Sequence, residues 1–230
     1  MIFAIPVEGP ILTNCYLFAD DETHHGFLID PGFEPERIVR AVQEKAVTVE
    51  KILITHGHFD HMTAAHAVAK KINAPICAST RSKKYFESPT YNLSKFFETG
   101  ETIIPEDEAT YLADGTTVAL ENGALAVRLV PTPGHTEDGT MYVTENAFTA
   151  VTENPTVTKN MHGTENSTVT KIQHPPVAFV GDTIFRASYG ATHFPGGDEG
   201  VLIQSIKTQI LTLPDNTVLL SGHSEPTTVG

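Results

Sequence analysis

The chain has 230 residues, 40% of them hydrophobic and 19% charged, an ordinary globular composition that excludes a disordered chain. Its formal net charge of -13 would repel phosphate backbones, so neither nucleic-acid binding nor nuclease activity is expected. No window approaches the roughly 18 apolar residues of a membrane span, and residues 1–10 lack the basic start and apolar stretch of a signal peptide, so a soluble, cytoplasmic chain folded as one domain over 1–230 is expected.

In chain order, strand-like apolar runs fall at 11–19, 26–30, 51–55, 116–120, 125–130, 177–180 and 217–221. Helical periodicity interleaves with them at 35–45, where Ile38, Val39 and Val42 share a face, at 61–72, and at 198–211, where Val201, Leu202, Ser205, Ile206 and Ile210 recur. Mixed strands and helices indicate an α/β or α+β class with layered sheets and helices. Cys15 and Cys77 lie in apolar settings and read as buried free thiols.

Between 143 and 172 the composition shifts to Thr, Asn and Val, and the stretch TENPTVTK at 152–159 returns as TENSTVTK at 164–171. Two copies are too few for a solenoid. The Val/Thr alternation suits a β-hairpin turning near Met161, His162 and Gly163, an inserted surface arm expected to leave near the active-site edge.

Three strand runs end in polar clusters: Ile54 leads into Thr55-His56, Val180 into Gly181-Asp182, and Leu220 into Ser221-Gly222-His223. Layered α/β proteins place their sites at such strand ends, and these three can converge on one place. The densest cluster is Thr55-His56-Gly57-His58-Phe59-Asp60-His61, set between an expected strand and an expected helix. His56 and His58, alternate residues of an extended loop, can face one point, with Gly57 allowing close backbone approach. Asp60 and His61 then aim at a neighbouring point, which suggests two metals rather than one. Imidazole with carboxylate suits zinc or iron better than calcium or magnesium.

Together with Thr13-Asn14-Cys15-Tyr16, Leu28-Ile29-Asp30-Pro31-Gly32, Thr132-Pro133-Gly134-His135-Thr136, Gly181-Asp182-Thr183-Ile184-Phe185, Phe194-Pro195-Gly196-Gly197-Asp198 and Ser221-Gly222-His223, the chain resembles the metallo-β-lactamase superfamily nearly end to end. Within that superfamily it is most similar to the glyoxalase-II-like single-domain hydrolases. The resemblance implies an α/β fold, a four-layer αββα sandwich with 143–172 inserted as a hairpin-like arm. By the same resemblance His56, His58 and His135 hold one ion, Asp60, His61 and His223 hold a second, and Asp182 bridges both. The ions would be divalent, zinc first, with iron or manganese as the other options, and Asp60 would also be the catalytic residue that orients the attacking water.

The implied activity is hydrolysis of a small-molecule thioester by a binuclear centre. Two alternatives draw on the same residues: a mononuclear iron persulfide dioxygenase using His56, His135 and Asp182, and a metal-binding domain without catalysis. Lactam-hydrolysing relatives commonly carry Cys or no bridging ligand where Asp182 stands, so antibiotic hydrolysis is not expected. After Gly190, where close relatives have Arg and Asp, the chain reads Ala191-Thr192-His193, and His193 is assigned to the surface. His24 and His25 belong to an expected turn, His66 to the far side of a helix, and His162 and His174 to the arm. The chain runs only to Gly230 after His223, so the basic helical extension that contacts glutathione in full-length glyoxalase II is not expected.

Overall fold

The computed structural model describes residues 1–98, 100–144, 149–151, 156–159, 165–168, 171–173 and 175–230. Six strands make the first sheet in chain order: β1 (Ile2–Val7), β2 (Thr13–Ala19), β3 (His25–Ile29), β4 (Thr48–Leu53), β5 (Ile76–Ser79) and β6 (Ala109–Leu112). The first three are antiparallel neighbours, and β3 through β6 run parallel. Then follow β7 (Thr117–Ala119), β8 (Ala126–Pro131), β9 (Thr140–Thr144), four short strands β10 (Thr149–Val151), β11 (Thr156–Lys159), β12 (Glu165–Thr168) and β13 (Lys171–Gln173), and finally β14 (Val177–Gly181), β15 (Val218–Ser221) and β16 (Thr227–Thr228). The second sheet has the order β16-β15-β14-β9-β8-β7, with β14 and β15 parallel.

Helices α1 (Pro35–Glu44) and α3 (Ala65–Ile72) cover the outer face of the first sheet, and α5 (Glu199–Ser205) covers that of the second. Three apolar layers follow. Ile38, Val42 and Val68 pack on Leu17, Leu28 and Ile52 outside the first sheet. Phe18, Phe27 and Leu53 meet Leu129, Tyr142 and Phe179 between the sheets. Leu202, Ile206 and Ile210 lie on Val130, Val143 and Val180 outside the second. Alternate residues of one strand thus feed two different layers, as the period of two requires. This is the expected αββα sandwich.

Among the described residues no helix is long and apolar enough to cross a membrane. Both cysteines are buried and free.

Two expected helices are interrupted. The 61–72 pattern splits into α2 (Phe59–Met62) and α3, because the Ala64 N–H donates to the carbonyls of Pro31 and Gly32, at 3.1 and 2.8 Å, rather than to its own helix. The 198–211 pattern is α5 followed by a wider π turn at Ile206–Ile210. In the arm, β11 pairs antiparallel with β12, Thr156 opposite Thr168 and Lys159 opposite Glu165, and β10 pairs with β13. The 143–172 hairpin is therefore present, while Met161, His162, Gly163 and His174 lie outside the described residues. Its expected departure point is corrected. The arm leaves the end of β9 and returns at the start of β14, whereas Asp182 follows the end of β14. Strand direction puts the root of the arm at the edge opposite the site residues.

Candidate metal centre

His56 to His61 follow β4, His135 follows β8, Asp182 follows β14 and His223 follows β15. The antiparallel pairs β8–β9 and β9–β14, with β14 parallel to β15, make β8, β14 and β15 point the same way, so their C-terminal ends share one edge. There the structure brings all seven expected residues together. His58 Nδ1 and His135 Nε2 are 2.9 Å apart, and His61 Nε2 and His223 Nε2 are 3.3 Å apart. Asp60 Oδ2 lies 3.4 Å from His61 Nε2 and 3.2 Å from His223 Nε2. Asp182 reaches into both halves: its Oδ2 is 3.1 Å from His223 Nε2 and 3.6 Å from His135 Nε2, and its Oδ1 is 3.4 Å from His61 Nε2.

Three ligand-type groups result, His56–His58–His135, His56–His61–Asp182 and Asp60–His61–His223, each with its atoms within 4.8 Å of one another. Six of the seven residues are buried, and the His223 side chain, 21% exposed, marks the open side. Buried polar atoms ordinarily find partners. Here, among the described residues, His56 Nε2 and Asp182 Oδ1 are buried without a hydrogen bond of good geometry, in the middle of converging nitrogens and oxygens. A shared cation satisfies such a set where a proton satisfies only one pair, so the residues fit a metal site of nitrogen and carboxylate donors.

Electrostatics divide the cluster. Burial, reinforced by the neighbouring imidazoles, pushes His56 well below the usual histidine range and His58 down to about 3, so both stay neutral and ready to donate a lone pair. At the other end burial opposes charge on His223, but Asp182, with hydrogen bonds to Asp182 and Asp60, pushes it up to about 10. His61 is likewise raised by Asp60, Asp182 and Asp30 against the cost of burial. Asp182 is itself held well below the carboxylate range, burial being outweighed by His61 and His223.

Several residues that position this cluster carried no assigned role in the sequence. Asp30 ends β3 in the left-handed region, φ 51°, and is buried. It accepts hydrogen bonds from the Thr55 N–H at 2.8 Å and the Thr55 hydroxyl at 2.6 Å, and lies 2.9 Å from His61 Nδ1. Thr13 donates to Asp60 Oδ2 at 3.2 Å. The Asn14 N–H donates to Gly222 O at 2.7 Å, its side-chain amide to the carbonyls of Ser221 and Ser224 at 3.1 Å each, and Tyr16 to Ser221 O at 2.7 Å, so the start of β2 fixes the loop of His223. Asp138 accepts from the Gly57 N–H at 2.9 Å. Gly222 must lack a side chain, since a Cβ there would stand 2.5 Å from both Asp182 Oδ1 and His61 Cε1.

The other described histidines stand apart from these groups. His193 is exposed and its ring tilts on Phe194 at 4.1 Å, His66 pairs with Glu108, and His24 sits in the turn before β3. His25 opens β3 itself, 2.7 Å from Glu50, rather than lying in the turn. Phe194 approaches His58 and His135 edge-on at 5.8 and 6.4 Å, Tyr85 approaches His58 at 6.3 Å, and Phe185 approaches His223 at 5.9 Å, so both halves have aromatic neighbours.

A family model described as the metallo-beta-lactamase superfamily matches residues 9–152. Hydroxyacylglutathione hydrolase GloC of Haemophilus influenzae is 29% identical over 98% of this chain and 92% of its own length. The probable metallo-hydrolase YqgX of Bacillus subtilis is 28% identical over 96% and 89%. Among solved structures, that of the BLEG-1 B3 metallo-beta-lactamase superposes with a TM-score of 0.80 and 28% identity, covering 100% of this chain and 95% of that one.

Proposed function

The chain belongs to the metallo-beta-lactamase superfamily, and from that premise we propose a binuclear, metal-dependent hydrolase of small thioesters, with zinc as its ion. The observation that carries this reading is Asp182, whose two oxygens face His61, His135 and His223 at once. A carboxylate so placed could serve two ions, of which His56, His58 and His135 would hold the first and Asp60, His61 and His223 the second. The hydroxyacylglutathione hydrolase among the relatives supports an acyl-thiol substrate, since it matches almost the full chain.

Divalent ions bound there would supply Lewis acidity and a water of lowered pKa. The chain's own residues set where that chemistry acts. Asp60, held by Thr13 and facing His223 at 3.2 Å, accepts a hydrogen bond from the attacking water and orients it toward the open side. Asp182 stays anionic and keeps the two halves in register. Phe185 and Phe194 give the substrate apolar walls. In the net reaction water adds to the acyl carbon, the C–S bond breaks, and an acid and a thiol leave.

Elemental analysis of the purified chain beside its His58→Ala variant tests the reading, followed by a panel of acyl-thioesters with a β-lactam as comparator. Two zinc ions per chain, falling toward one in the variant, with thioester turnover exceeding lactam turnover, is the expected result. A single iron unaffected by His58→Ala, or turnover confined to the lactam, would overturn it.

A further inference from the structure

The three side chains assigned to the first ion arrive on two separate loops, His56 and His58 after β4 and His135 after β8. One residue joins those loops. Asp138, on the His135 loop, is fully buried, and its Oδ2 accepts a 2.9 Å hydrogen bond from the N–H of Gly57, the residue between His56 and His58. The approach is close: a Cβ on Gly57 would lie 3.2 Å from Asp138 Oδ2 and 2.3 Å from Tyr85 Cβ. Tyr85, from α4 (Lys83–Phe86), also accepts from the Glu137 N–H at 2.9 Å. Glu137 and Asp138 therefore hold α4 and the histidine loop together.

This arrangement is costly. Asp138 Oδ1 is buried with no partner in good geometry, although the hydroxyls of Thr136 and Ser82 stand beside the carboxylate. Burial pushes its carboxyl up to about 6 against those neighbours. Packing alone does not call for a carboxylate here, because a neutral side chain of similar size would escape the desolvation cost. What the carboxylate adds is a strong, fixed acceptor for one backbone N–H.

We propose that Asp138 is a positioning residue for the first metal site, setting His56 and His58 against His135 through the Gly57 N–H. The inference rests on the reading of those three histidines as ligands of one ion. Its test titrates the metal-free whole chain with cobalt(II) against a chromophoric chelator, which yields two stepwise dissociation constants. Variants His58→Ala and His223→Ala, each lacking one site, identify which constant belongs to which.

Asp138→Ala is expected to weaken the first site roughly 10- to 100-fold, the usual effect of losing a hydrogen bond behind a metal ligand, and to leave the second within about twofold. Asp138→Asn keeps an acceptor oxygen and recovers most of that loss. Equal weakening of both sites, no weakening, or an Asn variant as weak as the Ala one overturns the proposal. Should the Ala variant not fold, the Asn variant decides alone: a first-site loss of a few-fold with the second unchanged supports it, and equal or absent losses overturn it. A wild-type chain that binds no cobalt removes the two-ion reading itself, whereas undisturbed binding in Asp138→Ala removes only this inference.

Discussion

The geometry of an imidazole ligand is settled by what its other nitrogen does. His135 Nδ1 donates to Ala191 O at 2.6 Å and His223 Nδ1 to Leu12 O at 2.8 Å, so both present Nε2 to the centre. His61 depends on a charged partner, Asp30. Asn tolerates the left-handed backbone of position 30, so Asp30→Asn changes the chemistry without straining the turn. We expect it to weaken the second site roughly 10- to 100-fold, and the first by less, since Asp30 also accepts from Thr55, whose hydroxyl stands 3.2 Å from His56 Nδ1. Chelator competition measures this, and unchanged affinity would show that His61 is oriented by something else.

Asp138 supports a second residue-scale prediction, on pH. Burial pushes its carboxyl from the ordinary 3.8 up to about 6 in the fold, so the folded state carries a penalty that is complete above pH 6 and fades as pH falls toward 4. The gap corresponds to about 3 kcal/mol at most. Asp138→Asn has no such penalty, so in metal-free protein its stability relative to wild type should be greater at pH 8 than at pH 4.5. Urea unfolding at the two pH values reads the difference, and equal differences would place the Asp138 carboxyl in its ordinary range.

At the scale of elements, what was legible in the sequence was local. The apolar runs of β2 and β8, the helical face of α1 and the histidine loop between β4 and α2 follow from short-range pattern, and their ends shift by only a few residues. β5 and β6 escaped because small and polar residues interrupt the apolar pattern of Ile76–Ser79 and Ala109–Leu112. The break at Ala64 and the roles of Asp30 and Asn14 escaped because each depends on partners remote in sequence. Asp30 did carry a signal, a polar residue closing an apolar run, the same cue that marked Asp182 and His223.

The arm illustrates the limit of local reading: its hairpin was legible, its place was not. Val143 pairs with Ala178 and Tyr142 with Phe179, so β9 and β14 are adjacent and a short turn can join them. Replacing 145–174 by Asn-Gly should therefore preserve the second sheet, since loop closure depends only weakly on length. We expect the variant to bind two ions per chain and to melt within about 5 °C of wild type. Loss of either ion would show that the arm supports the site from the far edge.

For the whole molecule, the sandwich splits each proposed metal site between its two sheets. The first site takes His56 and His58 from the end of β4 and His135 from the end of β8. The second takes Asp60 and His61 from the first sheet and His223 from the second. Ions bound there would clamp the sheets at one edge, beyond what Phe18, Phe27, Tyr142 and Phe179 achieve between them. An ion that binds only the folded state stabilises it by about 4 kcal/mol at a free concentration one thousand times its dissociation constant. For a domain of this size that is a shift of roughly 10 °C per ion. Chelation should accordingly lower the melting temperature and added zinc should restore it, with His58→Ala showing about half the response. The fall should be gentler near neutral pH than these figures suggest, because His61 and His223 take up protons when the ions leave and keep Asp60 and Asp182 paired. Calorimetric scans with and without chelator, in buffers that report proton uptake, separate the two effects. A melting temperature indifferent to chelator would mean that the apolar layer alone holds the sheets in register and that the clamp contributes nothing.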